Sequence, residues 1–367
     1  MNQQSYRKLI SGESSGLCAA LLRFFLGIAA QVYLVVIALR NLLYTKRWLK
    51  IYRSNAAVIS VGNITTGGTG KTPLVIRLCK LIISDSKIQI SDPQCAILTR
   101  GYKMTQDSRP KTQDYGDEPA ILAESCPEAK VIVNPDRVAG ADEAVSKFGA
   151  KVLIMDDGFQ HRRLARDLDI VTIDGTLPFG YGRMLPAGLL REPVAALKRA
   201  NAAVITRCDQ ATEAELCQLE DKLQQTNPQM VITRSIHAPV CAKSINNKEI
   251  SLEELKSKKI FAFCGIGNPD AFLKTVKGLG VKILGLKVHN DHFHYTDDCL
   301  ADIREEARRL NTDLILTTQK DWFSSPLPKT ANANDDINFA YLAIELKFIS
   351  GEDKITRLIE KTLAGKI

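Results

Sequence analysis

A chain of 367 residues is longer than one small domain and predicts two domains, or one large α/β domain with additions. Hydrophobic residues make up 45% of it and charged residues 25%, which excludes an intrinsically disordered protein. The net charge of +8 is compatible with acidic partners such as phosphates, nucleic acid or an anionic membrane. Nine cysteines without a CxxC pair indicate neither a disulfide framework nor a structural zinc site, and we expect small core residues in a reducing cytoplasm.

The first predicted element is an apolar helix over residues 24–39, an uncharged run of 16 residues between Arg23 and Arg40. Such a helix measures roughly 24 Å, less than the roughly 30 Å hydrocarbon core of a bilayer. The basic and aromatic segment RNLLYTKRWLKIYR follows it. This order favours a helix that dips into a membrane, with the basic segment at the lipid headgroups. A buried helix packed on the domain is the alternative. A cleaved signal peptide is disfavoured, because the phosphate loop that follows needs cytosolic nucleotide.

Apolar strands then alternate with helices, from AAVISVGN and TPLVIRLCKLIIS to NAAVITRCD, and predict a parallel sheet with helices on both faces. The alternation of strands and helices stops near PQMVITRSIHAPVCAKSINNKEI, where the sequence predicts short extended segments. We interpret them as an interdomain connection. The alternation resumes from KIFAFCGIGNPDAF to NFAYLAIELKF as a smaller second α/β domain. The predicted ranges are 1–53 for the N-terminal helix and its basic flank, 54–227 for the first α/β domain, 228–250 for the connection and 251–367 for the second domain.

The stretch VGNITTGGTGKTP joins a predicted strand to a predicted helix. At such a place a glycine-rich turn lets backbone N–H groups surround phosphate, a lysine reach the terminal phosphates and a hydroxyl hold Mg²⁺. Thr65 breaks the strict GxxxxGK[ST] spacing of a P-loop, and a glycine-rich turn without a ligand is the alternative. The predicted nucleotide-binding residues are Thr65, Thr66, Gly67, Gly68, Thr69, Gly70, Lys71 and Thr72.

The strand KVLIMDDG ends in two adjacent carboxylates, Asp156 and Asp157. Carboxylates that emerge from a buried strand are costly unless a cation or hydrogen-bond donors meet them, and P-loop phosphotransferases use such a group for Mg²⁺. A solvated strand end is the alternative. We therefore predict a magnesium nucleotide site in which Thr72, Asp156 and Asp157 are the metal ligands.

Further motifs follow in chain order: YGDEP, DDGFQHRRLARDLDIVTID, GRMLPAGLLREP, VITRCD, FCGIGNPDAF, NDHFHY and TTQKD. With the phosphate loop they resemble the tetraacyldisaccharide 4′-kinase family, collinearly from about residue 24 to about residue 322. The resemblance implies a P-loop kinase at the cytoplasmic face of the bacterial inner membrane. It would transfer the γ-phosphate of ATP to the 4′-hydroxyl of a tetraacylated glucosamine disaccharide 1-phosphate, giving lipid IVA. The resemblance also implies two α/β domains, a connecting β-ribbon and a membrane-associated N-terminal helix, and Thr65 is ordinary in the family's version of the loop.

The resemblance assigns the catalytic carboxylate to Asp117 in YGDEP and pairs it with His292 in the second domain. It assigns Lys71 to the β- and γ-phosphates. An aspartate within reach of a sugar hydroxyl can serve as its base, and a histidine can hold or relay the proton. Asp117 is alternatively a helix N-cap and His292 an ordinary loop residue. His294 receives no role, because Phe293 stands where family members often carry a second histidine.

Arginine suits phosphate because its planar guanidinium binds two oxygens and stays charged. Arg191 in LLREP is the first choice, although Leu189 replaces a proline that is usual in the family. Solvated surface arginine is the alternative for each arginine, and a structural turn is the alternative for the residues after the strand-end carboxylates. The predicted acceptor- or phosphate-binding residues are Arg191, Arg137, Arg100, Gln160, His161 and Glu118.

A tetraacylated lipid leaves the bilayer only at a cost of roughly 0.8 kcal/mol per exposed CH₂, so its kinase should work at the membrane. The predicted partners are ATP, Mg²⁺, the tetraacyl-disaccharide lipid and the inner-membrane phospholipid surface, which residues 24–39 and the cations after them would contact. No recognised nucleic-acid-binding module is present in the sequence. The alternatives are a P-loop GTPase acting as a membrane switch, because TRCD faintly echoes NKxD, and an ATPase that moves cargo on membranes. The sequence does not give an oligomeric state.

Overall fold

The computed structural model describes residues 3–84, 94–101, 117–245, 248–291, 293–327 and 337–366. Its contacts divide the chain into two compact units. The first unit comprises Met1–Gly101, Leu122–Ile236 and Leu346–Ile367, and the second comprises Tyr102–Ile121 and His237–Glu345. All nine cysteines are free thiols, and six of them are buried, as expected for small core residues.

The elements alternate between strand and helix for most of the chain. The strands are β1 Ala57–Gly62, β2 Cys95–Thr99, β3 Lys130–Val133, β4 Val152–Asp156, β5 Leu168–Asp174, β6 Ala202–Thr206, β7 Val231–Ser244, β8 Glu249–Ser251, β9 Lys259–Cys264, β10 Lys282–Val288, β11 Leu314–Thr318 and β12 Asn338–Ser350. The helices are α1 Gln3–Ser11, α2 Leu17–Thr45, α3 Lys71–Ser84, α4 Asp117–Ser125, α5 Arg137–Phe148, α6 Glu213–Thr226, α7 Leu252–Lys256, α8 Pro269–Gly278, α9 Asp297–Arg309, α10 Gln319–Ser324 and α11 Glu352–Ala364.

The first unit is built on a parallel sheet in the order β7-β6-β5-β1-β4-β2-β3. Its central strands are apolar on both sides and fully buried, because helices cover both faces. Helices α3, α4 and α11 pack on one face, and α2, α5 and α6 pack on the other. The predicted parallel sheet with helices on both faces is therefore confirmed. In this sheet Val61 of β1 lies opposite Asp156 of β4, which brings the phosphate loop and the paired carboxylates to the same edge.

The second unit has a smaller parallel sheet in the order β10-β9-β11-β12, and its stretch of β7 pairs antiparallel with β8. Helices α7 and α8 pack on one face of this sheet. Helices α9 and α10 pack on the other face, around Phe263, Tyr295 and Trp322. The prediction of a second, smaller α/β domain is confirmed.

Two sequence interpretations were wrong in detail. The segment expected to consist of short extended pieces is largely one strand, β7, of 14 residues, in which residues 231–234 pair with β6 and residues 241–243 pair with β8. The N-terminal helix α2 has 29 residues and extends beyond residues 24–39 at both ends. In addition, Leu346–Ile367 belongs to the first compact unit, whereas the sequence placed it in the range 251–367. The domain boundaries themselves stay a prediction.

Helix α2 presents two different faces. Ala30 and Ile37 are buried against the first unit, and Tyr33 packs partly against the same cluster. Its other face exposes a stripe of large apolar side chains at Leu21, Leu22, Phe24, Phe25, Ile28, Val32, Val35, Val36, Leu39 and Leu42. By length and composition alone, α2 is able to cross a membrane. Because one face packs on the protein, the exposed stripe is the part left for a membrane or another apolar surface.

Candidate active site

The phosphate loop runs from the end of β1 at Gly62 to the start of α3 at Lys71. Gly67 and Gly70 have φ angles of +108° and +87°, a conformation that residues with a Cβ rarely adopt, which explains why glycine occupies both positions. The backbone N–H of Thr66 donates to the carbonyl oxygen of Leu189 at 2.8 Å, so the LLREP segment lies beside the loop. The predicted strand–loop–helix context of a P-loop is present.

Thr69 holds the loop to the strands beneath it. Its hydroxyl lies 2.7 Å from the hydroxyl of Thr172 and accepts a hydrogen bond from Asn63 Nδ2 at 2.9 Å. Its backbone oxygen accepts from the Thr206 hydroxyl at 2.9 Å. The Thr69 side chain is buried, so it serves the loop's conformation, and the loop's backbone N–H groups are the part available to a phosphate.

Arg207 supports the loop from behind. Its guanidinium donates to the carbonyl oxygen of Gly68 at 2.7 Å and forms an ion pair with Asp174. Both side chains are about nine-tenths buried. In the sequence, Arg207 is one of several arginines at predicted strand ends that could suit phosphate; in the structure, it fixes a peptide group of the phosphate loop.

Replacing Arg207 by methionine should lower the free energy of unfolding by about 3 kcal/mol, because it leaves the buried carboxylate of Asp174 without its cation. Urea unfolding would measure this loss. The matched control is Arg357→Met, which breaks an exposed pair with Asp353 and should cost less than about 1 kcal/mol. Equal stabilities for the two variants would contradict a structural role for the Arg207–Asp174 pair.

Three charged side chains meet at the end of β4. Asp157 accepts two hydrogen bonds from Arg191 Nη1, at 2.9 and 3.1 Å, and one from Arg191 Nη2 at 3.1 Å. Lys71 Nζ lies 3.6 Å from the same carboxylate. Burial alone would raise the pKa of Asp157, but the charges of Lys71 and Arg191 and their hydrogen bonds outweigh it and lower the pKa to about 2. The structure therefore brings together three residues that the sequence predicted for one site.

Because the pKa of Asp157 is low in the folded protein, the free energy of unfolding depends on pH in the acidic range. Its folded pKa of about 2 lies below the ordinary 3.8, so the ionised carboxylate contributes stability above pH 4 and loses it as the pH falls towards 2. The contribution is about 2 kcal/mol. We expect wild type and Asp157→Asn, compared by urea unfolding, to differ most above pH 4 and to converge as the pH approaches 2. A difference that stays constant with pH would contradict the pairing.

The predicted metal ligands differ in their surroundings. Asp156 is buried at the end of β4, and Thr99 Oγ1 donates to its carboxylate at 3.5 Å. Thr72 follows Lys71 in the first turn of α3 and is half-buried. Hydroxyl and carboxylate oxygens are ligands that Mg²⁺ prefers, so Asp156 and Thr72 fit this ion chemically. Asp157 is already engaged by two cations, and among the described residues no three His, Cys, Asp or Glu side chains form a preformed metal cluster.

A sequence profile for the family described as tetraacyldisaccharide-1-P 4′-kinase matches residues 22–364. The chain belongs to this family. A tetraacyldisaccharide 4′-kinase of Halothermothrix orenii is 35% identical over 96% of both chains. One of Chlorobaculum tepidum is 37% identical over 90% of this chain and 94% of its own. A crystal structure of LpxK from Aquifex aeolicus, described as an "apo" form in complex with ATP, has a TM-score of 0.68 at 29% identity and covers 93% of this chain and 99% of that one.

Membership of the 4′-kinase family confirms the resemblance, the fold class and the kinase activity that the motifs predicted. It removes the reasons for reading the chain as a GTPase switch or a cargo ATPase. The assignment of individual residues to roles in the 4′-kinase reaction stays a prediction, which the geometry of each residue supports to a different degree.

The other predicted phosphate-binding residues are placed as follows. Arg137 is buried, and its guanidinium donates to the carbonyl oxygens of Asn134 at 2.8 Å and Asp156 at 3.1 Å. Gln160 Nε2 donates to the backbone oxygen of Asn63 at 2.7 Å. Arg137 and Gln160 therefore hold the backbone at the ends of β1 and β4, where the 4′-kinase motifs meet.

His161 is half-buried next to Gln160, and among the described atoms its Nδ1 has no hydrogen-bond partner. Burial, helped by the charge of Arg137, lowers the pKa of His161. Arg100 is exposed immediately after β2, and Glu118 is half-buried in the first turn of α4.

The predicted catalytic pair is only partly described. Asp117 is the first residue of α4, and its side chain lies outside the described residues, as does the whole of His292. The second unit joins three motifs of the 4′-kinase family, FCGIGNPDAF, NDHFHY and TTQKD, at one buried carboxylate. Asp321 of TTQKD accepts from the backbone N–H of Gly265 at 3.0 Å and from the Tyr295 hydroxyl at 3.1 Å. Burial raises the pKa of Asp321.

Sequence reasoning missed the residue next to Arg191. Glu192 is completely buried, and its carboxylate accepts from Arg199 Nη2 at 2.7 Å and from Asn41 Nδ2 at 2.8 Å. Arg199 Nη2 also donates to the backbone oxygen of Phe159 in DDGFQ at 3.0 Å. The available signal was the glutamate in LLREP, which stands between Arg191 and a proline close to an apolar run, and a buried carboxylate needs hydrogen-bond donors.

Proposed function

We propose that the chain transfers the γ-phosphate of ATP to the 4′-hydroxyl of a tetraacylated glucosamine disaccharide 1-phosphate, at the cytoplasmic face of the inner membrane. The family match over residues 22–364 supports the reaction. The observation in this chain that carries it is the convergence of Lys71 and Arg191 on Asp157 beside a phosphate loop. Two cations next to such a loop provide the positive charge that a transferred phosphoryl group requires.

Each of the predicted site residues has a separate role in the proposed phosphoryl transfer. The backbone N–H groups of Gly67, Gly68 and Gly70 in the loop bind the phosphates, and Lys71 neutralises charge on the group being transferred. Arg191 binds phosphate oxygens of the nucleotide or the acceptor. Asp117 accepts the proton of the acceptor hydroxyl, with His292 as its partner in that step. These assignments follow the family motifs. The phosphate loop, Lys71 and Arg191 lie in the first unit at one edge of its sheet.

Magnesium is expected with the nucleotide. The Thr72 hydroxyl and the Asp156 carboxylate would hold it, and its charge would offset that of the phosphate oxygens. Asp157 would become available to it only when Lys71 or Arg191 turns to a phosphate, because both cations bind Asp157 in this structure.

The membrane association rests on α2. Its apolar stripe is exposed while its opposite face packs on the first unit, and an interfacial helix needs this division. Lys46, Arg47, Lys50 and Arg53 follow the stripe and would meet anionic headgroups. Such a helix brings the enzyme to the acyl chains of its acceptor, so that they need not leave the bilayer.

The test of this function is phosphate transfer from γ-labelled ATP to a tetraacyl-disaccharide 1-phosphate in detergent micelles. We expect label on the lipid with ATP and little with γ-labelled GTP. Chelation of Mg²⁺ with EDTA should stop the transfer. Hydrolysis of either nucleotide in the presence of the lipid, without label on it, would overturn the proposed acceptor.

A further inference from the structure

Helix α2 contacts the Arg191–Glu192 dipeptide directly. Asn41 Nδ2 donates to Glu192 Oε2 at 2.8 Å, while Arg40 Nη2 lies 3.8 Å from Glu192 Oε1. Arg199 supplies the remaining donor, at 2.7 Å from Oε1. Glu192 is fully buried, and a buried carboxylate is tolerated only where such donors meet it. The position of Glu192 therefore depends on side chains of α2.

A second contact from α2 reaches Arg191. The Tyr33 hydroxyl donates to the backbone oxygen of Arg191 at 3.1 Å. The Arg191 backbone N–H donates to the Ile64 oxygen at 2.7 Å, and its guanidinium binds Asp157. The peptide units on both sides of the Arg191 side chain are thus fixed, one by β1 and the phosphate loop and the other by α2.

Tyr33, Arg40 and Asn41 lie on one face of α2, because residues seven and eight apart share a helix face. Val32, Val35 and Leu39 belong to the apolar stripe on the opposite face. Contact with the active site and exposure to solvent are therefore separated on α2, and a substitution can change one without the other.

We propose that Asn41 and Tyr33 are positioning residues for phosphoryl transfer: from α2 they hold Arg191 so that its guanidinium lies at Asp157 and the phosphate loop. This inference rests on the proposed function of Arg191 as a phosphate ligand. The contacts of Tyr33 and Asn41 with Arg191 and Glu192 then affect kcat, in addition to any contact that α2 makes with a membrane. Neither residue touches the reacting atoms, and each acts through Arg191.

The test uses Asn41→Leu, which keeps the number of side-chain heavy atoms and the branch at Cγ and removes the donor to Glu192. Lipid phosphorylation and ATP binding are measured on the full-length protein with acceptor in phospholipid vesicles, together with co-sedimentation of protein and vesicles. We expect kcat to fall about tenfold. The KM for ATP and the fraction of protein bound to vesicles should stay within about twofold of wild type, because the phosphate loop, Lys71 and the apolar stripe are unchanged in this variant.

Tyr33→Phe provides a second variant that removes only one hydroxyl, and we expect its kcat to fall about threefold with an unchanged melting temperature. Gln31→Leu is the matched control. It replaces an exposed amide on α2 by leucine, and its kcat should equal that of wild type. Arg191→Lys completes the set and should lose kcat, since lysine lacks the planar fork.

Wild-type kcat in Tyr33→Phe would overturn the inference, whether Asn41→Leu folds or not, provided that Arg191→Lys has lost activity. A loss in Asn41→Leu that Gln31→Leu shares, or that vanishes when kcat is expressed per vesicle-bound molecule, would also overturn it. A wild-type protein that labels no lipid would reject the proposed function itself, which is a separate outcome.

Discussion

Replacing Lys71 by methionine should lower kcat about 10²–10³-fold, because it removes a positive charge from the phosphate loop where negative charge develops during transfer. The lysine lies at the first position of α3. Its ammonium lies 3.6 Å from the Asp157 carboxylate, at the edge of the sheet that carries the phosphate loop. The measurement is the steady-state rate of label transfer from ATP to the lipid over a range of acceptor concentrations at saturating ATP. The loss should appear in kcat more than in the KM for the acceptor.

Lys80→Met is the matched control, because Lys80 is an exposed residue of the same helix α3. Its kcat should equal that of wild type. The variant Lys71→Met should also free Asp157 from one of its two cations, so the pKa of Asp157 should rise towards its ordinary value. A Lys71→Met protein that transfers phosphate at the wild-type rate would remove the phosphate-loop lysine from the mechanism.

Replacing Asp117 by asparagine should lower kcat about 10²–10⁴-fold while the KM for ATP stays near that of wild type, because a general base acts in the transition state. Asparagine has the same shape and still caps a helix, so a loss of activity in this variant separates the two interpretations of YGDEP. The measurement is kcat for lipid phosphorylation together with its pH profile, in which the acidic limb should disappear.

Glu124→Gln, in the same helix α4, is the control for loss of a carboxylate and should keep wild-type activity. If Asp117 serves only as a cap, Asp117→Asn should keep kcat within about twofold, and Asp117→Ala should lose about 1 kcal/mol of unfolding free energy. That pair of results would show that Asp117 is not the general base and that another group accepts the proton.

The sequence was sufficient for the phosphate loop and the strand-end carboxylates, because their chemistry is local. Glycines, lysine and hydroxyl stand within a few residues of each other in the loop, and Asp156 and Asp157 follow directly after four apolar strand residues. Parallel strands align their carboxyl ends, so the two groups had to meet at one edge of the sheet. Arg191, the first choice among the arginines for binding phosphate, pairs with Asp157 at this edge, and its role there stays a prediction.

The sequence was insufficient for the residues that support these groups. Glu192, Arg199 and Arg207 have ordinary charged side chains in the sequence, and their burial depends on partners up to 151 residues away. The periodicity of α2 predicted a helix, but its ends at Leu17 and Thr45 lie in polar or mixed sequence that has no clear stop signal. The length of β7 was missed because pairing with β6 and β8, rather than local composition, keeps it extended.

The two faces of α2 have a kinetic consequence. An α-helix with its side chains is about 10–12 Å wide, and this width separates the apolar stripe from the Tyr33 hydroxyl that contacts Arg191. In the membrane association proposed above, the stripe would hold the enzyme on the bilayer, and the enzyme would encounter its acceptor by diffusion in two dimensions. Its turnover would then follow the mole fraction of acceptor in the surface, and adding inert phospholipid would slow it even when the bulk concentration of acceptor is unchanged.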